Sequence, residues 1–140
     1  MMTRVFVYGT LKPGQSRWQI LEPFAVRTNP ESKASASGQL FDTGYGWPAA
    51  VFGVGASDVV PGVVVTVDPE CVDKALTTLD AVEGVGSGLF RRALIEVQGH
   101  PCWAYQWAGP TSNFRRIALW PPANEQPNHM TGHQNWRTAW

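Results

Sequence analysis

The sequence has no apolar run of membrane-spanning length. A spanning helix needs about 20 consecutive apolar residues, whereas runs such as Val5-Phe6-Val7-Tyr8 last only a few residues. That N-terminal run is also too short for the roughly 7–15-residue core of a secretory signal. Cysteine is scarce. Cys71 and Cys102 are the only two and form no framework pattern, so buried free thiols in a cytoplasmic protein are expected. An excess of either charge is absent as well: 11 Lys and Arg balance 11 Asp and Glu, and charged residues make up only 16% of the chain. Arg91-Arg92 and Arg115-Arg116 are isolated pairs rather than a basic stripe. Neither nucleic acid nor an anionic membrane surface is therefore expected as a partner.

What remains is a 140-residue chain with 44% hydrophobic content, enough for one compact domain. Residues 3–8 read as a first strand, and a short helix is expected around residues 18–21. Residues 28–37 are polar and without clear periodicity, and read as a surface connection. Short strands follow at residues 37–42 and 49–53, on either side of a Gly- and Pro-containing turn. Val59–Val67 is a β-branched run suited to a buried strand. A helix comes next, with Asp68 as N-cap, Pro69 at its first position and Glu70 favouring its positive end. Val72, Ala75, Leu76 and Leu79 recur at i, i+3, i+4 and i+7 to form its core stripe, and Gly84 can end it. Residues 89–97 and 102–107 read as two strands joined by a Gln98-Gly99-His100-Pro101 hairpin. Residues 109–140 form a polar, aromatic-bearing tail, expected to dock in part or stay disordered, with residues 1–108 as the domain proper. The expected class is α+β: a small, mostly antiparallel β-barrel with one or two flanking helices.

Two segments carry chemistry. The first is the polar loop Gly9-Thr10-Leu11-Lys12-Pro13-Gly14-Gln15-Ser16, which follows the first strand abruptly. Gly9 has no Cβ to hold a ligand away from the main chain. The loop has the glycine spacing of a phosphate cradle. Yet Gln15 stands where the phosphate-binding lysine belongs, and Pro13 removes a backbone donor, so nucleotide binding is not expected.

The second is the end of the helix. At 100° per residue, position 83 lies about 20° from positions 72 and 76 and about 40° from position 79. If the helix reaches that far, Glu83 continues the buried stripe. Desolvation and the negative helix end would then raise its pKa towards that of a general acid/base at neutral pH. The alternative is a helix that stops at Asp80, with Glu83 on a solvated turn; Asp80 itself sits at the edge of the stripe. His129 and His133 stand four apart, but Gly132 weakens a helix there and no third ligand lies nearby, so no metal site is expected. His100 falls in a predicted turn. No serine elbow or Cys/His pair suggests a nucleophile.

Together these segments resemble the gamma-glutamylcyclotransferase-like family. Val7-Tyr8-Gly9-Thr10-Leu11-Lys12-Pro13-Gly14 is similar to its Y-G-T-L loop. Leu79-Asp80-Ala81-Val82-Glu83-Gly84-Val85, with Phe90-Arg91-Arg92 after it, resembles the signature that carries its catalytic glutamate. Gly38-Gln39-Leu40-Phe41-Asp42 and Gly46-Trp47-Pro48-Ala49 fall in the family's order between them. The likeness covers roughly residues 4–107. It implies a pocket at the barrel mouth, with Tyr8, Gly9, Thr10 and Leu11 holding a γ-glutamyl group through backbone N–H groups and Glu83 as acid/base. The implied reaction forms 5-oxoproline and releases an amine or amino acid. The substrate's own α-amine attacks its γ-carbonyl, so the resemblance implies no metal or cofactor and a small-molecule substrate as the partner.

Phe90 departs from the tyrosine common in relatives, and Tyr105 is the candidate to bring a phenol to the pocket. Two other readings stand beside the cyclotransferase. One is a non-catalytic module holding a carboxylate-bearing ligand on the same barrel; the other is a related enzyme that opens or builds a different amide bond. Leaving-group specificity is expected to reside in pocket walls made by loops such as residues 43–47 and by the tail. The oligomeric state is open, with Trp136 and Trp140 as interface candidates.

Overall fold

The computed structural model describes residues 3–53 and 57–122. The first strand, β1 (Thr3–Val7), sits at the centre of the fold and explains its own unbroken apolar sequence. Successive side chains of a strand point to opposite faces, and here both faces are covered. Val5 and Val7 pack with Leu21, Val65, Ala75 and Leu79 on the helix side. Phe6, together with Tyr8 just beyond the strand, packs with Leu40, Val60 and Ala104 inside the barrel.

The short helix α1 (Trp18–Leu21) follows, then β2 (Glu31–Asp42), β3 (Pro48–Phe52) and β4 (Val59–Val67). Helix α2 (Val72–Val82) comes next, followed by β5 (Phe90–Val97), β6 (His100–Trp107) and β7 (Arg115–Ile117). The strand order is β3-β2-β4-β1-β6-β5, with β7 pairing β2 beside it. All pairings are antiparallel except β1 with β6. Residues 31–37 of β2 pair with β4, whereas residues 38–42 pair with β3. The sheet thereby turns a corner along one strand. Across the gap that remains, the Phe52 N–H donates to Gln106 Oε1 at 2.8 Å, and the mixed sheet nearly closes into a barrel.

Two expectations need correction. Residues 31–37 are strand rather than surface connection. Their inward positions, Ala34, Ala36, Gly38 and Leu40, alternate with exposed Ser35, Ser37 and Gln39, so the period of two is present but is written in residues too small to give hydrophobic contrast. The β5–β6 turn is also tighter than the four residues expected. Val97 pairs with His100, and Gln98 and Gly99 alone make the turn with φ of 52° and 83°, as a two-residue mirror-type hairpin requires. Of the two free cysteines, Cys102 is buried but Cys71 only partly so.

Helix α2 is entered through a 3-10 turn, Pro69–Cys71, capped by Asp68 Oδ1, which accepts from the Glu70 N–H at 3.0 Å. Ala75 and Leu79 are fully buried, and Val72 and Leu76 flank them. Beyond β6 the chain contributes β7 to the edge of β2, and Trp120 is buried in the barrel cluster. His129, His133, Trp136 and Trp140 lie outside the described residues. Among the described residues, no helix is long and apolar enough to cross a membrane.

Candidate active site

The loop after β1 is folded by its own carbonyls. The Lys12 N–H donates to Gly9 O at 3.0 Å and the Arg17 N–H to Thr10 O at 2.8 Å. Its N–H groups are not used in the same way. Among the described residues, those of Gly9, Thr10 and Leu11 have no protein acceptor. Buried backbone donors almost always find a partner, and Thr10 is only 7% exposed. The loop therefore presents an array of donors to whatever occupies the cavity it lines.

Gly9 also has a packing partner within the protein. A Cβ at this position would lie 2.7 Å from Pro48 Cγ and 2.9 Å from Pro48 Cδ. The missing side chain makes room for the proline ring at the start of β3, and so clamps the turn before β3 against the loop.

Glu83 is the C-cap of α2 rather than a residue of its body. Its N–H still bonds Leu79 O at 2.9 Å, so the helical course is kept to this point and the carboxylate follows the core stripe inwards. Gly84 then ends the helix in the left-handed conformation, φ 72°. The Glu83 side chain is 15% exposed. Burial pushes its pKa up to about 7, against the opposing pull of the Arg17 guanidinium. Arg17 Nη1 lies 3.9 Å from Glu83 Oε2 and donates to Val82 O at 3.4 Å. One guanidinium thus sits against both the helix's negative end and the carboxylate. Nothing in the sequence marked Arg17, which reaches the helix from the far end of the first loop.

The two tyrosines are tied to each other. Tyr8 Oη donates to Tyr105 O at 2.6 Å, and burial first, then the nearby Glu83 charge, pushes the Tyr8 phenol well above its usual range. Tyr105 Oη in turn donates to Asp80 Oδ1 at 2.7 Å, and Arg92 Nε lies 3.7 Å from the same oxygen. Burial and this bond to Asp80 raise the Tyr105 phenol too. Asp80 is therefore occupied in orienting Tyr105. Phe90 makes aromatic contacts with Trp47 at 5.8 Å and Trp107 at 5.3 Å between ring centroids.

These groups enclose one cavity of about 190 Å³, lined by Tyr8, Gly9, Thr10, Leu11, Glu83 and Tyr105 among others. Every candidate site residue read from the sequence lines it. The volume is below the roughly 300–1,000 Å³ of drug-sized ligand sites, so its occupant is small. The arrangement offers buried donors for an anionic or carbonyl oxygen, beside one carboxyl able to exchange a proton near neutrality.

The sequence matches the family described as Gamma-glutamyl cyclotransferase, AIG2-like, over residues 5–137, beyond the stretch that carries the sequence motifs. Among solved structures, an AIG2-like protein from Mus musculus is similar at 21% identity, over 94% of this chain and 95% of that one, with a TM-score of 0.70. The YtfP protein of Escherichia coli shares 25% identity over 87% and 99% of the two chains, with a TM-score of 0.54. A structure described as a gamma-glutamyl cyclotransferase is similar at 17% identity, over 83% and 70%, with a TM-score of 0.50. No curated protein sequence matches the chain.

Proposed function

The chain belongs to the gamma-glutamyl cyclotransferase, AIG2-like family, and we propose that it converts a small γ-glutamyl amine or peptide into 5-oxoproline and the free amine or amino acid. The observation that carries this reading is a carboxyl of pKa about 7, Glu83, in one small cavity with the unpaired N–H groups of Gly9, Thr10 and Leu11. The substrate's α-nitrogen attacks its own γ-carbonyl carbon. A new C–N bond closes the five-membered ring, and the bond to the departing nitrogen breaks. Two protons leave the α-ammonium, two arrive on the departing amine, and no water is consumed. Glu83 takes a proton from the α-nitrogen and returns one to the leaving group, which is the work of a group with a pKa near the working pH. Because attack is intramolecular, holding the reactive conformer supplies much of the acceleration. The donors of the loop suit the α-carboxylate or the developing oxyanion.

The direct test is detection of 5-oxoproline from a panel of γ-glutamyl compounds. Saturable binding of the panel without product would favour the non-catalytic module instead.

Arg17 supplies a second test. Its charge lowers the Glu83 pKa, so Arg17→Gln is expected to move the acidic limb of the kcat/KM–pH profile upward from about 7. An unmoved or downward-shifted limb would show that Glu83 is not the group titrating in that profile.

A further inference from the structure

The proposed reaction leaves one part of the cavity unaccounted for: the wall towards solvent. The deeply buried part, with Tyr8, Thr10 and Leu11, carries the N–H donors of the first loop. The mouth is of opposite character. Leu89 lines it and is 48% exposed; Trp47 lines it and carries Tyr45, itself 71% exposed, stacked on its indole at 5.8 Å with 29° between the planes. Phe90 packs against Trp47 with 5.8 Å between ring centroids.

This rim is built rather than merely exposed. Gly44 and Gly46 take φ of 84° and 94°, and the turn they allow is pinned by side chains. Asp42 Oδ1 accepts from the Gly44 N–H at 2.9 Å. Thr43 Oγ1 accepts from the Tyr45 N–H at 3.2 Å and donates to Trp47 O at 2.7 Å. A large, exposed tyrosine held over a tryptophan by three local hydrogen bonds is a preorganised aromatic surface, and aromatic side chains supply contact area at little entropic cost. Arg17 and Glu83 are the only charged side chains on the described walls of the cavity, and they face each other.

Resting on the cyclotransferase reading, we infer that the rim of Tyr45, Trp47, Leu89 and Phe90 is the leaving-group subsite, and that it selects amines bearing an apolar or aromatic group and no carboxylate. The γ-glutamyl group, with its carboxylate and ammonium, takes the deeply buried part. The scissile amide then lies beside Glu83, and the departing substituent is directed outwards past the aromatic and aliphatic side chains of the rim. A leaving amino acid would place a second carboxylate beside Glu83 and against aromatic carbon, with no cation of its own to meet it.

The test measures 5-oxoproline release from γ-glutamylbenzylamide, γ-glutamylmethylamide and γ-glutamylphenylalanine by the full-length protein. The benzylamide is expected to exceed each of the others by about tenfold or more in kcat/KM, a discrimination within reach of an apolar subsite. Trp47→Ala should reduce the benzyl-to-methyl ratio to below about threefold, mainly through KM. Tyr45→Ala, a change at an exposed position, should reduce it by a smaller factor without threatening the fold. Equal kcat/KM for benzylamide and methylamide, a preference for γ-glutamylphenylalanine, or a ratio unmoved in both variants would overturn the subsite. Absence of 5-oxoproline from all three is a separate result: it would overturn the cyclotransferase reading itself and this inference with it.

Discussion

Glu83→Gln is expected to lose about 10²–10⁴-fold in kcat, the usual contribution of a positioned acid/base, and to become more stable at the same time. The amide keeps the size and the hydrogen-bonding outline of the carboxyl but cannot exchange the proton. The gain in stability follows from where the carboxyl sits. In the folded chain its pKa is about 7, against 4.5 for the ordinary group, because burial disfavours the charge more than Arg17 restores it. Between those values the folded state binds more protons than the unfolded one, so wild-type stability falls as pH rises through that window and levels off above it. Glu83→Gln is free of this penalty. Its unfolding free energy should exceed that of wild type above pH 7 by up to about 3 kcal/mol, the two converging near pH 4. Two measurements decide the matter: 5-oxoproline release at saturating substrate, and denaturant unfolding at pH 4.5 and 8. Near wild-type kcat would sink the assignment of Glu83. A stability difference that does not grow with pH would show that the carboxyl is not desolvated.

Gly62→Ala should be among the most damaging conservative changes available in the chain. Strand propensity alone would favour alanine, since glycine in a strand interior is the less stable by about 0.5–1 kcal/mol. The surroundings reverse that sign. Gly62 lies in β4 beside Val63, whose partner is Val7 at the end of β1. A Cβ there would press into the Val7 carbonyl oxygen and come within 2.6 Å of Phe6 Cζ and 2.8 Å of Cε1. Neither obstacle is the free end of a flexible side chain. One is the backbone from which the site loop departs, and the other is a fully buried ring packed edge-on against Phe52 at 6.0 Å. Overpacking of this kind costs about 1–3 kcal/mol or more, so destabilisation at the upper end, roughly 3 kcal/mol, is expected. Thermal or denaturant unfolding checks it, and a midpoint equal to or above wild type would mean that β1 and β4 separate more easily than their packing implies. A variant that folds should also bind substrate less tightly, because the displaced carbonyl immediately precedes Tyr8 and Gly9.

How much of this was legible depends on how much contrast each segment writes into its own residues. β1 and β4 were readable because Val5–Val7 and Val63–Val65 have apolar neighbours on both faces, which favours short continuous apolar runs. α2 was readable because one face alone is buried, leaving a stripe at 3.6-residue spacing with Asp68-Pro69 before it and Gly84 after it. The first half of β2 was not, since Ala34 and Ala36 face inwards among serines and differ little from them in hydrophobicity. Nor was β7. Arg115-Arg116-Ile117 is a strand because β2 offers an open edge and because Arg115 and Arg116 meet Asp42 and Asp58, partners 73 and 58 positions away in the chain.

The site divides along the same line. Local periodicity aimed Glu83 at the core only on condition that the helical course ran that far, and the Glu83 N–H bond to Leu79 O is what meets the condition. The donors of the first loop were likewise implied by an abrupt strand-to-glycine break. Only the tertiary structure decided what Gly9 makes room for, which phenol Asp80 holds, and that Arg17 stands against Glu83. Those are contacts between segments far apart in sequence, and a side chain's spacing along the chain carries no record of what will be folded against it.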